Sequence, residues 1–465
     1  MTDVPHSDGR HSDGQYSDGR HSDTTLERGL LSASRTTAIT RIGFAAPVAS
    51  AAAFVAALEG EPAVAWASRE LVLAGLGAAR ELRSEGDERW ARIVSGARSV
   101  VVGPDVGEIR SAPRFLGGLA FLPGAAAHGP WRGFGDAWFV LPRWTYTHDG
   151  KRGELVLAID AREVAQAVRW RTELARIQRA LSEPVTAHAR FPRPATCAVE
   201  RDDRATWRAQ IDAITAAIAR GECEKIVAAR SVTVQLSGDV RPADLLADLD
   251  VRHPDCVRLF VRPPDGGTLV AATPERLVRV TGRAVACDAL AGSRQRDQGA
   301  TDAAVLLASD KDRREHAIVV DAIVAALHEL GADVSAADQP RVRALRHVLH
   351  LHTPIAAILP AARHVLDVAE RLHPTPAVGG TPARFAREWI AAHERARGWY
   401  ASPVGWFDGA GNGDLAVALR CGVIEGSRAH LWAGAGIVAG SDPDRELAET
   451  ELKLRPMLGA LGGEP

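Results

Sequence analysis

The stretch PVGWFDGAGNGDLAVALRCGVIEGSRAHLWAGAGIV, residues 403–438, decides the fold. Its apolar runs have strand length and are separated by DGAGNGD and EGSR, clusters of glycine and small polar residues that mark turns. The pattern predicts three strands in an antiparallel meander. It also holds a trap, because Gly434, Gly436 and Gly440 resemble a dinucleotide loop. That motif needs GxGxxG inside a βαβ unit, with an acidic residue about 20 positions on. Here the third glycine falls one position late, the preceding strand belongs to a meander, and too few residues follow. NAD binding is excluded. The following residues read as a helix instead. Ser441 and Asp444 are spaced as a capping box with Pro443 in the first turn. Glu446, Glu449 and Lys453 then fall at i, i+3 and i+7 on one face. Taken alone, Glu449 and Lys453 would be an exposed i,i+4 pair worth a few tenths of a kcal/mol.

Working outward, TWRAQIDAITAAIARGEC (206–223) has the period of an amphipathic helix, with Ile211, Ile214 and Ile218 on one face. KIVAARSVTVQL (225–236) reads as a strand, and VRLFVRPPDGGTLVAATP (257–274) as a hairpin turning at Asp265-Gly266-Gly267. A long helix is expected from Ser309 to Leu330, capped by Ser309 and Asp312 and stopped by Gly331. In the first half, helical patterns near 50–83 and 161–182 flank PRFLGGLAFLPG…WRGFGDAWFVLPRW (113–144), which suggests strands and turns. Residues 5–23 repeat (His/Tyr)-Ser-Asp-Gly-(Arg/Gln) and offer nothing apolar to bury, so a disordered tail is expected over 1–25. The chain then divides into an amino-terminal half, 26–190, a connector around RFPRPATC (190–197), and a region from 195 to 465. Antiparallel strands among long helices mean α+β rather than a doubly wound sheet.

Composition narrows the function. A formal charge of −2 gives no general attraction for nucleic acid or an anionic membrane. The five cysteines are scattered and never form CxxC, which argues for a reducing, cytoplasmic compartment and against disulfides or a zinc ribbon. The longest apolar stretch, Ile42 to Leu58, is broken by Pro47 and too rich in alanine to span a membrane. Of the 56 basic residues only Lys151, Lys225, Lys311 and Lys453 are lysine. Where any cation would serve, this chain uses arginine, so a lysine in a site-like segment can be doing what arginine cannot, such as releasing a proton. Lys225 opens a strand directly after a helix. Glu275 follows a strand and Pro274, where it should face a cleft. Glu315 lies in the long helix beside apolar residues. His347, His350 and His352 lie close together in RHVLHLHTP, but no carboxylate or cysteine in the segment completes a zinc site, and they read as structural.

Six ordered motifs carry a resemblance: ATPERL (272–277), ALAGSRQR (289–296), SDKDRREHAIVVDAI (309–323), LHPTPAVGGTP (372–382), ERARGWYASPVGWFDGAGNGDLAVALR (394–420) and WAGAGIVAGSDPDRELAETELKL (432–454). Together they resemble the chorismate-utilising enzymes: anthranilate, aminodeoxychorismate, salicylate and isochorismate synthases. The resemblance covers about residues 195 to 460, and the segment 113–144 is similar to the amino-terminal half of isochorismate synthases in particular. It implies one large α+β unit, two β-sheets packed face to face with helices outside and the active site between them. Lys225 stands where water-adding members have a base and ammonia-adding members have no lysine. HPTPAVGGTP and ALAGS likewise have the isochorismate-synthase form. Tyr400 and Leu419 match salicylate synthases equally well, which keeps that lyase activity as the alternative.

The resemblance then implies an isomerase that shifts the hydroxyl of chorismate from C4 to C2. Lys225 would be the base for water, with its proton affinity lowered by burial or nearby cations, and Glu275 the acid, with its affinity raised. Glu315 and Glu449 would bind Mg²⁺, with Glu446 as a partner through water. Arg420, Lys453 and the Gly434–Gly436 backbone would hold the enolpyruvyl carboxylate, while Gly292, Ser293, Tyr400 and His373 line the pocket. A monomer with no glutaminase subunit is implied. Menaquinone, a catechol siderophore and salicylate remain open as destinations of the product.

Overall fold

Strands from both halves of the chain enter the same two sheets. The computed structural model describes residues 19–183, 196–201, 204–297 and 300–462. One sheet has 13 strands and the other 10. In the larger sheet, Val257–Arg262 pairs on one side with Thr268–Thr273 and on the other with Ala63–Ala67 from the first half. In the smaller, Pro403–Asp408 pairs with Arg114–Leu119 in the same manner. Pairing is antiparallel except where Ile39–Ala46 meets Val102–Val106. The α+β class is therefore observed, and the sequence boundary near residue 190 divides the chain without dividing the sheets.

Period-two burial explains how the sheets stack. In Ala63–Ala67, Val64 and Trp66 join the cluster shared with Val278 and Leu415 of the smaller sheet, while Ala63, Ala65 and Ala67 face the other way. That outer face is covered by Phe54, Trp170, Leu246 and Leu454, from the helices Ala51–Ala56, Ala167–Ser182, Pro242–Arg252 and Pro443–Ala460. Strands that bury alternate residues on both faces need cover on both, and the second sheet and the helices supply it.

Much of the sequence reading holds: Lys225–Leu236 is one strand, the hairpin turns at Asp265–Gly267, and Asp310–Glu329 is a helix capped by Ser309, whose side chain accepts from the Asp312 amide. Four expectations change. The segment 50–83 is helical only over Ala51–Ala56 and continues as three strands: the small apolar residues of Ala63–Ala67 and Val72–Leu76 pair into the larger sheet, and Arg80–Ser84 pairs into the smaller. The expected tail is helical from Gly19, within Gly19–Ala33; residues 1–18, and most of the 190–197 connector, lie outside the described residues. The last helix is capped by Asp442, whose carboxylate accepts from the amides of Asp444 and Arg445, while Ser441 accepts from Val438 instead.

The fourth change matters most. Residues 403–438 form four strands, not three, and they do not make one meander. Pro403–Asp408 and Gly413–Val417 pair in the smaller sheet; Cys421–Glu425 and Arg428–Ile437 pair in the larger. Between them, at Ala418-Leu419-Arg420, the chain changes sheets, with Arg420 at φ 49°. The neighbouring pair of strands does the same in the other direction. Thr268–Thr273 lies in the larger sheet, Arg276–Thr281 in the smaller, and Pro274-Glu275 is the crossing. Proline has no N–H for a ladder, which suits a residue where one sheet ends. Among the described residues no helix is long and apolar enough to cross a membrane.

Candidate active site

The two crossings lie side by side and put Glu275 and Arg420 into the cleft between the sheets. They are tied together by backbone: the Val417 amide donates to the Glu275 carbonyl at 3.0 Å, Ala272 to Arg420 at 3.2 Å, and the Thr273 hydroxyl to Val417 at 2.6 Å. Glu275 is 4% exposed. Burial, reinforced by Asp288, pushes its carboxyl up to about 8, against the pull of Lys225, Arg420 and Lys453. This is an acid that stays protonated near neutrality.

Arg420 meets a group that the sequence reading set aside as structural. One of its guanidinium N–H groups donates to His350 Nε2 at 3.2 Å. His350 Nδ1 lies 3.0 Å from the Ser293 hydroxyl and 3.2 Å from the Gly292 carbonyl. Burial and the charges of Arg420 and Lys453 keep His350 well below the usual histidine range, so it is neutral. Accepting at Nε2, it carries its proton on Nδ1 and links Arg420 to the ALAGS segment. His352, two residues on, faces Asp288 at 2.8 Å. Both histidines lie on one face of the strand Val348–Ile358, and their partners tell them apart. Period-two pattern was the signal available for His350, since it falls on the same face as His352 and opposite Leu349 and Leu351.

The glycines serve close approach. Gly292 forms a bulge at φ 73° between Ala291 and Ser293, and turns Ser293 toward His350. A Cβ on Gly436 would lie 2.3 Å from Glu315 Oε1 and 2.9 Å from Lys225 Cε, so a side chain there would force both to shift. A Cβ on Gly434 would lie 3.0 Å from the Tyr400 hydroxyl. The Gly434 carbonyl accepts from Lys453 Nζ at 2.9 Å. A strand residue's carbonyl and amide point the same way, so its N–H also faces the cleft.

Lys225 is fully buried, and its ammonium lies 2.9 Å from Glu315 Oε1. Of the two surroundings expected for it, burial or nearby cations, burial is found, and the nearest charge is a carboxylate. Lys453 lies 2.5 Å from Glu449, a half-buried pair rather than an exposed one. Although burial works to raise it, Lys453, Lys311 and Ser293 hold the Glu449 carboxyl below its ordinary value. Glu446, 2% exposed, is pushed up by burial and Glu449, and its partner is Lys311 at 2.7 Å. Lys311 was missed in the sequence although its residue type was already the informative one.

Cleft-lining residues include Glu275, Gly292, Ser293, Glu315, Tyr400, Leu419, Arg420, Gly434, Gly436 and Lys453, so most of the predicted set converges. His373 does not join it. Its Nε2 bonds to the Phe121 carbonyl at 3.1 Å and its ring packs edge-on to Phe121, while Ala377 and Val378 of the same motif reach the cleft instead. Among the described residues no three of His, Cys, Asp and Glu are grouped so as to hold a metal ion unaided. Glu315 and Glu449 offer hard carboxylate oxygens of the kind Mg²⁺ takes in pairs, with substrate and water completing the shell.

Residues 32–462 match the model of the chorismate binding enzymes. The chain is 37% identical over 426 residues to the salicylate biosynthesis isochorismate synthase of Pseudomonas aeruginosa, covering 86% of each. It is 34% identical to isochorismate synthase MenF of Bacillus subtilis, covering 81% of this chain and 80% of that one. The solved structure of the menaquinone-specific isochorismate synthase MenF from Escherichia coli matches with a TM-score of 0.76 at 27% identity, over 96% of this chain and 100% of that chain.

Proposed function

The chain belongs to the chorismate-binding enzymes, and from that premise we propose that it converts chorismate to isochorismate by the opposed action of Lys225 and Glu275. The observation that carries the reading is the lysine. Among 56 basic residues, one of four lysines is fully buried at the head of a strand, against Glu315 of a cleft whose acid, Glu275, is pushed up to about 8. Water would attack C2 as Lys225 takes its proton, the ring double bond shifts, and the C4 hydroxyl leaves as water with the proton of Glu275. Lys225 ends charged and Glu275 ionised, so each exchanges a proton with solvent before the next turnover. Protonation of the leaving oxygen and deprotonation of the nucleophile are each worth roughly 10²–10⁴ in rate.

Arg420, oriented by His350, and Lys453 would hold the enolpyruvyl carboxylate together with the Gly434 and Gly436 amides, which a Cβ would obstruct. Glu315 and Glu449 would hold Mg²⁺, with Glu446 behind them. When bound, the ion would neutralise and fix the ring carboxylate. Water as the nucleophile requires no glutaminase subunit, and every proposed site residue lies in one chain, so a monomer suffices.

Tyr400 and Leu419 both line the cleft and favour a second reading, in which isochorismate is carried on to salicylate and pyruvate. Product analysis separates the two. Purified protein given chorismate and Mg²⁺ should yield isochorismate to a partial equilibrium without pyruvate. Salicylate with matching pyruvate would replace the first reading by the second.

A further inference from the structure

Three of the chain's four lysines stand in this site, each beside a different glutamate. Lys225 faces Glu315 at 2.9 Å, Lys311 faces Glu446 at 2.7 Å and Lys453 faces Glu449 at 2.5 Å. The fourth, Lys151, is exposed in a turn. The proposed reaction uses Lys225 and Lys453 and leaves Lys311 without a task. Its side chain is 38% exposed and rises from the first turn of the helix Asp310–Glu329 to a carboxylate that is 2% exposed, on the helix Pro443–Ala460. Glu315 and Glu449 also attract it.

We infer that Lys311 is a resident counter-cation of the metal site: it neutralises Glu446 in the metal-free protein, and a divalent ion enters between Glu315 and Glu449 against its charge. The inference rests on the reading of those two glutamates as metal ligands. Three carboxylates brought together without compensation would repel one another and lose hydration. A lysine answers that need without closing the site. Its single contact and flexible stem let the ammonium turn to solvent, whereas a guanidinium fork would grip both carboxylate oxygens. Metal uptake then becomes an exchange of cations, and the residue that sets metal affinity is one that touches neither metal nor substrate.

The test uses Mn²⁺ as an oxygen-seeking probe, its free signal followed by electron paramagnetic resonance in metal-free protein, with and without chorismate. Lys311→Met should bind Mn²⁺ on the order of tenfold more tightly than wild type, since a nearby positive charge is removed. Lys311→Arg, which keeps the charge, should bind no more tightly than wild type. Lys311→Met should also melt lower without metal and gain more in melting temperature on adding Mg²⁺ than wild type does. Where Lys311→Met alone fails to fold, the double variant with Glu446→Gln removes both charges and should recover folding, with metal affinity near wild type. If Lys311→Met binds no more tightly while Glu449→Gln abolishes binding, the role of Lys311 falls and the metal ligands stand. If wild type takes up no Mn²⁺ even with chorismate, the metal reading fails and this inference with it.

Discussion

Glu275 feels two groups of buried charge built from different cations. Asp288 and Asp414 are held by Arg276, Arg279, Arg343 and His352. Glu315, Glu446 and Glu449 are each held by a lysine. In the first group both oxygens of Asp414, 1% exposed, are taken, Oδ1 by Arg276 at 3.0 Å and Oδ2 by Arg279 at 2.6 Å. Guanidinium groups neither release a proton nor let go easily, so this group is architecture. Every ion pair in the second is made by a single ammonium on a flexible stem. Fixed arginine charge lies on the Asp288 side of Glu275, and lysine charge surrounds the proposed substrate site.

Breaking the exchangeable group should have the largest effect. Lys225→Ala is expected to lower turnover by about 10³ or more while leaving chorismate binding largely intact, the loss of a general base. Turnover at the wild-type rate would remove Lys225 from the chemistry. Glu275→Gln should cost a similar factor. In the wild type the working acid is the protonated form, so activity should hold below, and decline as pH rises through, about 8. A rate profile flat from pH 7 to 9.5 would contradict that assignment.

The arginine group should respond in stability rather than chemistry. Asp414→Ala leaves Arg276 and Arg279 without their shared partner, and should cost about 2 kcal/mol in denaturant unfolding, less than a fully buried pair because both arginines are partly exposed. Its Mg²⁺ requirement should be that of the wild type; a changed requirement would merge the two groups into one. Smallest is Glu449→Gln, expected to raise the Mg²⁺ concentration for half activity at least about tenfold. Activity independent of metal would refute the ligand role. Glu449 is held below the ordinary carboxylate value, so it stays ionised in the folded protein through the usual carboxylate range, while the stability it contributes is full above that range and is lost as pH falls through it to the lower folded value.

Local pattern made the isolated elements legible. The strand at Lys225, the hairpin at Asp265–Gly267 and the helix after Ser309 each carry their own period and cap, and all three stand as read. The site residues were legible through ordered motifs, with residue rarity adding Lys225. What escaped was decided between elements. Hydrophobic runs and glycine turns look alike whether the next strand stays in its sheet or leaves it, so the crossing at Ala418–Arg420 was read as part of a meander. His350 carries no local mark of facing Arg420, 70 residues away in the chain. His373 lies within a motif that does reach the cleft, yet its ring turns to Phe121, and no spacing rule distinguishes the two directions. Lys311 sat inside a charged run that hydration alone would explain.

Glu275 and Arg420 belong to neither sheet, and the strands on either side of them are laced together at Val417, Thr273 and Ala272. Glu275 and Arg420, the proposed acid and anion anchor, therefore form one stitched seam, fastened to both layers. Should the layers slide, the seam would shift as a piece and keep its own spacing. The lysines and glutamates on the two helices, attached to other parts of the framework, would not follow. Drift among distant relatives in how the layers stack should thus leave the seam's internal geometry alone and fall on the distance between seam and helices, which is where differences in what is done to one common substrate can arise.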